Sequence, residues 1–229
     1  MEAFRITSLP PNIYYISQFL DPSICDNIVT SIRAMPDHKW TSLSHRRLLS
    51  LPSQLSGKSR DTLLLSSPLP IFLEDSILPQ FQALGLFRDS PHGAPNHVLV
   101  NEYQPGQGIM PHEDGPAYYP VTATVSLLSS IVLEITSKAE TAETRQHWRI
   151  LQEPGSLLVT SDECYTMTKH GIAEVEVDEN LDQETIANWQ LLSNRNFVDG
   201  KHVRQPRISL TYRDVKKVLS LKGVFQPKT

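Results

Sequence analysis

Asn101-Glu-Tyr-Gln-Pro-Gly-Gln-Gly-Ile-Met-Pro-His-Glu-Asp-Gly-Pro116 combines strand-forming, turn-forming and metal-ligating residue types in one stretch. The pattern predicts a strand that ends at Tyr103, a Pro/Gly turn, and a second strand leading into His112 and Asp114. Residues two apart on a strand share a face, so these two side chains would point together while Glu113 points away. An imidazole and a carboxylate belong to the 2-His-1-carboxylate triad, which leaves positions on iron(II) open for substrate and oxygen. His-x-Asp alone is also compatible with a surface or capping pair.

A third ligand would have to be a second histidine from elsewhere in the chain. His170 is the candidate, because it follows the turn-like residues 162–169 and opens a predicted strand that continues through 172–177. From there its side chain could reach the site across a sheet. His97 is the alternative, although a histidine at the start of a strand can simply cap a loop. His147 lies on a strand with an exposed pattern, where contact with water is the simpler interpretation.

Residues 207–213 give a second indication of a binding site. On a strand, one face would carry Arg207, Ser209, Thr211 and Arg213, and the other Ile208, Leu210 and Tyr212. A polar stripe inside a small barrel costs free energy unless it binds something, and arginine is suited to bidentate pairing with carboxylates. The pattern therefore predicts a site for a dianionic organic acid, with both arginines facing water as the alternative. Such a strand spans about 20 Å, so both arginines reach one small ligand only if the strand bends or their side chains lean inward.

Short strands after an early helical segment dominate the remaining pattern. A helix is predicted from Asp21-Pro22, with the aspartate as its cap, to residue 35, and isoleucines at every fourth position form its buried stripe. A helical segment at 71–87 must be started, bent or broken by Pro79, and residues 50–70 are predicted to be a long loop of the kind that often forms a lid. Strands are predicted at 12–17, 40–49, 97–103, 109–114, 121–128, 131–136, 147–151, 156–160, 172–177 and 207–213, with polar segments at 138–146 and 178–204. This pattern predicts a mainly β sandwich or small barrel with helices outside.

Size, charge and cysteine content limit the class of protein. A chain of 229 residues suits one domain. Its net charge of −4 lacks the basic excess of a strong nucleic-acid binder, and the cluster His45-Arg46-Arg47 is expected to be solvated. Cys25 and Cys164 are the only cysteines, no signal peptide is expected, and the apolar residues 121–135 are too short and too polar for a membrane helix. We expect an intracellular protein of the cytoplasm or nucleus with no membrane partner, and leave its oligomeric state open.

Taken together, these motifs resemble the AlkB family of iron(II)/2-oxoglutarate-dependent dioxygenases. The matching motifs, in the same order and with similar spacing, are Asn101-x-Tyr103, Pro105-Gly106, His112-x-Asp114, Gly155-Ser-Leu, His170-Gly-Ile and Arg207-x-x-x-x-x-Arg213. Residues 96–120 are most similar to the sixth AlkB homologue branch. The resemblance covers most of residues 10–215 and is weak at 45–95 and 178–204.

The resemblance implies a fold that is mainly β with flanking helices. Its core is a double-stranded β-helix, a jelly-roll or cupin-like arrangement, preceded by an N-terminal α-helical segment. We expect a single dioxygenase domain, residues 1–229. Its parts would be an N-terminal helical and lid region (1–95), the core (96–215) and a C-terminal tail (216–229).

The same resemblance implies roles for the candidate residues. His112, Asp114 and His170 would bind Fe(2+), Arg207 with Asn101 and Tyr103 would hold the far carboxylate of 2-oxoglutarate, Arg213 would act nearer the metal, and Ser209 would join the cosubstrate group. O2 would be consumed as 2-oxoglutarate is oxidised to succinate. Hydroxylation of an N-methyl group gives a hemiaminal that releases formaldehyde, so the implied reaction is oxidative demethylation.

The substrate depends on the region where the resemblance is weakest. In the sixth branch, Lys-Trp-Thr is followed by a Gly-Arg and an Asn-Trp-Gly-Gly stretch, whereas here Lys39-Trp40-Thr41 is followed by Ser-Leu-Ser-His45-Arg46-Arg47. In AlkB proteins this region covers the nucleobase, so residues 45–70 are expected to be the lid. Tyr118 and Tyr119 could stack on a base or pack at the base of a loop. We expect alkylated DNA or RNA as the substrate; the alternatives are the same chemistry on a protein or small molecule, and a non-catalytic binding module.

Overall fold

The computed structural model describes residues 1–65, 67–138, 141 and 144–220. Within them the strands are β1 (Ile13–Ile16), β2 (Thr41–Leu43), β3 (Arg46–Leu51), β4 (Thr62–Leu65), β5 (His97–Tyr103), β6 (Ile109–His112), β7 (Val121–Leu127), β8 (Ile131–Ser137), β9 (His147–Gln152), β10 (Leu157–Ser161), β11 (Thr168–Ile172), β12 (Val177–Asp178), β13 (His202–Val203), β14 (Arg207–Arg213) and β15 (Lys217–Ser220). The α-helices are α1 (Pro22–Arg33), α2 (Ile71–Glu74), α3 (Leu78–Ala83) and α4 (Asp162–Met167).

Two β-sheets face each other across a cavity that residues from both sheets line. The larger sheet has the strand order β1-β10-β7-β14-β5-β3-β2, and the smaller has the order β6-β11-β8-β9. Neighbouring strands within both sheets are antiparallel. From β5 to β14 the chain passes repeatedly between the two sheets, which is the topology of a double-stranded β-helix. The prediction of a mainly β fold with this core and flanking helices is confirmed.

Strand β14 shows how alternation in the sequence determines the two sides of the larger sheet. Ile208, Leu210 and Tyr212 join the apolar core beneath the helices. Arg207 and Arg213 point to the other side and line the cavity. They are only 2% and 5% exposed, so the alternative in which both arginines face water is wrong. The polar stripe of this strand is therefore an interior surface.

Helices α1, α2 and α3 pack on the outer face of the larger sheet. The buried side of α1 includes Ile28 and Ile32, and a proline occupies its first turn, as predicted. Asp21 is the residue at the N-cap, but its side chain makes no capping hydrogen bond, so that part of the prediction is wrong. The predicted helical segment is divided into α2 and α3, with Pro79 in the first turn of α3. Among the described residues, no helix combines the length and the apolar character that crossing a membrane would require.

Two segments that precede β5 differ from the prediction. The segment 40–49 is not one strand but a hairpin of β2 and β3, and β3 continues to Leu51 as a partner of β5. β4 lies inside the predicted loop 50–70, where it pairs in parallel with β15. β15 itself follows the strand that we expect to be the last. This pairing joins distant segments, which a local sequence pattern does not report.

The region around β11 also differs from the prediction. The turn-like residues 162–169 contain helix α4. The strand predicted at 172–177 ends earlier, because β11 spans Thr168–Ile172 with His170 at its centre. The predicted loop 138–146 and the predicted tail 216–229 lie partly outside the described residues. The division of the domain at residues 95 and 215 stays a prediction.

One polar cluster joins the two ends of residues 178–204, and a second attaches the segment to the core. Arg204 donates to both carboxylate oxygens of Asp178, at 2.8 and 2.6 Å, and both side chains are buried. Glu153 accepts hydrogen bonds of 2.8 Å from the hydroxyl of Ser193 and from the backbone nitrogen of Asn194. Apolar side chains from the same segment also join the core: Leu181, Ile186 and Leu192. The segment is therefore a packed part of the fold.

Candidate metal and cosubstrate site

Antiparallel pairing between β6 and β11 places two histidines opposite each other. His112 and His170 are direct partners in the register of these strands, and the centroids of their rings are 4.4 Å apart. The strands approach closely because residue 171 is glycine. A Cβ at Gly171 would lie 3.0 Å from the carbonyl oxygen of Ile109 and 3.0 Å from the nitrogen of Pro111. The backbone itself therefore brings the two imidazoles together.

Asp114 reaches the two histidines from a loop rather than from a strand. β6 ends at His112, so the prediction that Asp114 shares a strand face with His112 is wrong. Gly115, with a φ of +86°, lets the chain turn after Asp114. The carboxylate accepts a hydrogen bond of 3.0 Å from the hydroxyl of Thr122 and another from Arg213. One potential ligand atom from the aspartate and from each histidine lies within 4.8 Å of the others.

Hydrogen bonding and burial prepare these three side chains to hold a cation. Nδ1 of His112 lies 2.9 Å from the carbonyl oxygen of Met110. Since a carbonyl only accepts, Nδ1 carries a proton, which leaves Nε2 as the ring nitrogen that could bind a metal. Desolvation lowers the pKa of His170 to about 4, which leaves this ring neutral. Burial alone would raise the pKa of Asp114, but the charge of Arg213 holds it below its ordinary value. Two imidazoles and a carboxylate are the donor set of a facial-triad iron(II) site.

Arg207 is a buried cation whose partners are neutral. Its Nε donates to the hydroxyl of Ser126 at 3.0 Å, and one terminal nitrogen donates to the amide oxygen of Gln152. No carboxylate of the described residues lies within ion-pair distance of it. Burial lowers the pKa of Arg207 to about 10, so it stays protonated at neutral pH. An unpaired buried charge is costly, and this end of the cavity therefore suits an anion such as a carboxylate.

Asn101, Tyr103 and Ser209 lie close to Arg207 on two neighbouring strands. In the register of β5 and β14, Tyr103 is opposite Arg207 and Asn101 is opposite Ser209. Burial raises the pKa of Tyr103, although nearby arginines oppose this, so its phenol is a neutral donor. The shared cavity has a volume of about 280 Å³. It is lined by every predicted site residue: Asn101, Tyr103, His112, Asp114, His170, Arg207, Ser209 and Arg213.

The other candidate histidines lie elsewhere. His97 is buried at the start of β5, where its Nε2 shares a hydrogen bond of 2.8 Å with the hydroxyl of Ser50. It does not line the cavity. His147 is exposed on β9, with its Nε2 3.8 Å from a carboxylate oxygen of Glu134. Neither joins the three potential metal ligands.

Several cavity residues escape prediction from the sequence. Thr122 and Thr124 line the cavity, and Ser126 on the same strand binds Arg207. These three residues occupy alternate positions on the strand, and such a pattern predicts a second polar face. Gln152 and Arg46 reach the cavity from other strands and carry no local signal, because their role arises only when the strands assemble.

The two tyrosines that follow the Asp114 loop have different surroundings. Tyr118 lines the cavity, and the guanidinium carbon of Arg213 lies 4.8 Å from the centre of its ring. Tyr119 packs against the outer apolar core instead. Only Tyr118 is therefore placed to contact a ligand in the cavity.

The chain has relatives along almost its whole length. Residues 14–213 match the family model described as the 2OG-Fe(II) oxygenase superfamily. The chain is 33% identical over 227 residues to "Probable RNA/DNA demethylase ALKBH6" of Danio rerio, covering 96% of this chain and 92% of that protein. It is 32% identical over 137 residues to "Uncharacterized protein L905" of Acanthamoeba polyphaga mimivirus, covering 58% of this chain and 55% of that protein.

Solved structures share the fold at low sequence identity. The structure of OsALKBH1 matches 90% of this chain and 98% of its own, with a TM-score of 0.57 and 16% identity. A prolyl-4-hydroxylase of Pseudomonas putida matches 93% of this chain and 99% of its own, with a TM-score of 0.53 and 14% identity. At these identities the likeness concerns the fold and not the substrate.

Proposed function

We propose that this chain, which belongs to the 2OG-Fe(II) oxygenase superfamily and within it to the AlkB family, oxidatively demethylates or hydroxylates alkylated nucleic-acid bases. The chain is an oxidoreductase, and its cofactors are Fe(2+), 2-oxoglutarate and O2. The observation that carries the substrate class is the 33% identity, over 96% of the chain, to a protein named as a probable RNA/DNA demethylase.

We assign the metal to His112, Asp114 and His170, whose ligand atoms lie within 4.8 Å of one another. When bound, iron and 2-oxoglutarate together supply the activation of oxygen, with succinate and CO2 as the products of the cosubstrate. The three side chains would supply three ligands to the metal, and its remaining positions would be available to 2-oxoglutarate and oxygen. Thr122 and Arg213 keep the carboxylate of Asp114 ionised and oriented through their hydrogen bonds.

We assign the cosubstrate to the end of the cavity at Arg207. Its guanidinium offers the charge that a carboxylate of 2-oxoglutarate requires, and its two hydrogen bonds to neutral side chains fix its orientation. Tyr103 and Ser209 add hydroxyl groups, and Asn101 adds an amide. An anion bound here would offset the cost of burying an unpaired cation, which favours binding.

We assign the substrate side to the β2–β3 hairpin, which lies at the start of the predicted lid 45–70. Arg46 on this hairpin lines the cavity, and His45 at its turn lies 3.2 Å from a carboxylate oxygen of Glu174. Tyr118 offers an aromatic face within the same cavity, and such faces stack on bases of any sequence. The ring of Tyr118 supports a flat, aromatic substrate group.

Coupled turnover tests the proposed function. The protein is incubated with Fe(2+), 2-oxoglutarate and single-stranded DNA or RNA oligonucleotides that carry N-methylated bases, and succinate and formaldehyde are both quantified. We expect the two products in equal amounts with methylated strands, and no formaldehyde with unmethylated strands of the same sequence. His112→Ala, purified in parallel, is the control for contaminating enzymes.

Two other outcomes would redirect the assignment. Succinate without formaldehyde, together with no salt-dependent binding to single strands, would indicate the same chemistry on a protein or small-molecule substrate. Absence of both turnover and metal uptake would contradict the enzyme and favour a non-catalytic binding module.

We propose a cytoplasmic or nuclear location, where nucleic-acid substrates occur. Cys25 and Cys164 are both free thiols, which supports a reducing compartment. Cell fractionation that recovers the protein outside these two compartments would contradict this part of the proposal.

A further inference from the structure

Strand β3 carries two adjacent arginines whose side chains leave opposite faces of the larger sheet. Arg47 points away from the cavity, with its Nε 2.5 Å from a carboxylate oxygen of Glu102 and its guanidinium carbon 4.2 Å from the ring centre of Trp40. Arg46 lines the cavity, where its Nε donates to Oδ1 of Asn101 at 3.2 Å. Successive residues on a strand alternate in direction, so Arg46 and Arg47 form a matched pair for experiment.

The contact with Arg46 determines which way the amide of Asn101 faces. Every nitrogen of arginine is a donor and none accepts. The atom of Asn101 nearest to Arg46 must therefore be the amide oxygen rather than the amide nitrogen. The NH2 group then points away from Arg46, and it makes no hydrogen bond to the residues that the structure describes. Both of its N–H groups are available to a ligand in the cavity that Asn101 lines.

The charges around Asn101 indicate an anionic ligand. Tyr103, two residues along β5, is opposite Arg207 in the register. Burial raises the pKa of the Tyr103 phenol, while the charges of Arg207 and Arg46 act in the opposite direction. Two guanidinium groups therefore lie near a neutral phenol and a free amide NH2. A carboxylate can accept hydrogen bonds from all of these groups.

We propose that Arg46 is a positioning residue for 2-oxoglutarate. By donating to Oδ1 of Asn101, it holds the amide so that the NH2 group faces a carboxylate oxygen of the cosubstrate. The inference rests on the proposed function, which assigns the cosubstrate to this end of the cavity. Arg46 directly follows the turn of the β2–β3 hairpin. A ligand that moves this hairpin therefore also moves Arg46. It changes the affinity for the cosubstrate through the hydrogen bond between Arg46 and Asn101.

Equilibrium binding of 2-oxoglutarate tests the proposal without turnover. Calorimetric titration of Mn(2+)-loaded protein compares the wild type with Arg46→Met, Arg46→Lys and Arg47→Met. Arg46→Met should weaken binding about tenfold, which corresponds to about 1.4 kcal/mol, because a freely rotating amide loses one oriented hydrogen bond. Arg46→Lys keeps a donor without a fixed direction and should recover part of the loss. Arg47→Met should stay within about twofold of the wild type.

A double-mutant cycle separates positioning from direct contact. If Arg46 acts through Asn101, Arg46→Met should change affinity by less than about twofold in an Asn101→Ala background. Equal losses in both backgrounds would mean that Arg46 binds the cosubstrate itself, and would overturn the proposal. Unfolding midpoints of the same samples identify a variant that fails to fold, and Arg46→Leu, which also lacks a donor, then replaces Arg46→Met in the cycle.

The results also separate this inference from the proposed function. If the wild type binds 2-oxoglutarate and Arg46→Met binds it equally well, the inference fails while the proposed function stands. If the wild type does not bind 2-oxoglutarate, the proposed function fails together with the inference.

Discussion

The two ends of strand β14 hold the same side chain in opposite electrostatic situations. At one end, Arg213 donates to Asp114, so a buried cation and a buried anion neutralise each other. At the other end, Arg207 is buried as deeply, but within the part of the chain that the structure describes its side chain donates only to the neutral groups of Ser126 and Gln152. We call these the paired end and the unpaired end of the cavity.

This difference separates two ways of preparing a binding site. At the paired end the protein alone orients and ionises the carboxylate that we assign to the metal. At the unpaired end the protein buries an excess positive charge, and an incoming anion offsets the cost. Substitutions at the two ends should therefore change the free energy of unfolding in opposite directions while both abolish turnover.

The largest effect is expected at the paired end. Asp114→Ala removes a proposed metal ligand and leaves the guanidinium of Arg213 buried without its anion. We expect turnover to fall to background and the free energy of unfolding to fall by about 3–5 kcal/mol, measured by succinate formation and urea denaturation. His112→Ala is the matched control: it should lose turnover equally but change stability by less than about 1 kcal/mol, because it leaves no buried charge unpaired. Equal destabilisation by the two variants would remove the distinction between the ends.

Arg207→Met should abolish cosubstrate binding without loss of stability. The substitution keeps the length of the side chain and removes an unpaired buried charge, so the free energy of unfolding should stay constant or rise by about 1–4 kcal/mol. At a concentration of about 100 Kd, 2-oxoglutarate should stabilise the wild type by about 2.7 kcal/mol, and the variant should show no such increment. A destabilised variant would show that the hydrogen bonds of Arg207 outweigh the cost of its charge.

A smaller effect is expected from the backbone contact that brings the two histidines together. Gly171→Ala places a methyl group 3.0 Å from backbone atoms of Ile109 and Pro111, which cannot rotate away. The strands β6 and β11 must then separate, at a cost of about 1–3 kcal/mol, and the histidines move apart. We expect weaker Mn(2+) binding by calorimetry and a lower unfolding midpoint. Unchanged Mn(2+) affinity would mean that the loop of Asp114 compensates for the movement of the strands.

Local alternation explains why the central strands were predictable. The predicted bounds of β5 and β14 agree with His97–Tyr103 and Arg207–Arg213, because both strands are bounded by turn residues and alternate clearly. The same alternation assigns the faces of β14 correctly. The strand is too long for Arg207 and Arg213 to bind the same small ligand unless it bends. In the structure Arg213 binds Asp114, so of these two arginines only Arg207 is left to bind a small anion.

Features that depend on distant partners were not predictable. β4 lies in a segment rich in serine and proline, and its partner β15 follows the whole core. The sequence pattern predicts Asp114 on a strand, because a period of two does not reveal the turn at Gly115. The local sequence predicts a solvated Arg46, because no neighbouring residue reveals the contact with Asn101. Each of these features is created by tertiary pairing rather than by local preference.

A pH-dependent effect is expected from a histidine beside the paired end. His97 is opposite Arg213 in the register of β5 and β14. Burial, reinforced by the charge of Arg213, lowers the pKa of His97 to about 3. Tyr118, whose ring lies 6.0 Å from that of His97, is neutral because burial raises the pKa of its phenol. His97 therefore stays neutral in the folded protein over most of the acidic range.

Linkage then fixes the sign of the pH dependence. Below about pH 6.5 the unfolded chain binds a proton at His97 and the folded chain does not. The contribution of His97 to stability is therefore complete above that pH, and it is lost by about 1.4 kcal/mol per pH unit as the pH falls toward the folded pKa. In urea denaturation between pH 7 and 4.5, the difference in free energy of unfolding between wild type and His97→Gln should shift against the wild type as the pH falls. A constant difference would mean that His97 can be protonated beside Arg213 without a loss of stability. That result would contradict the lowered pKa of His97 in the folded protein.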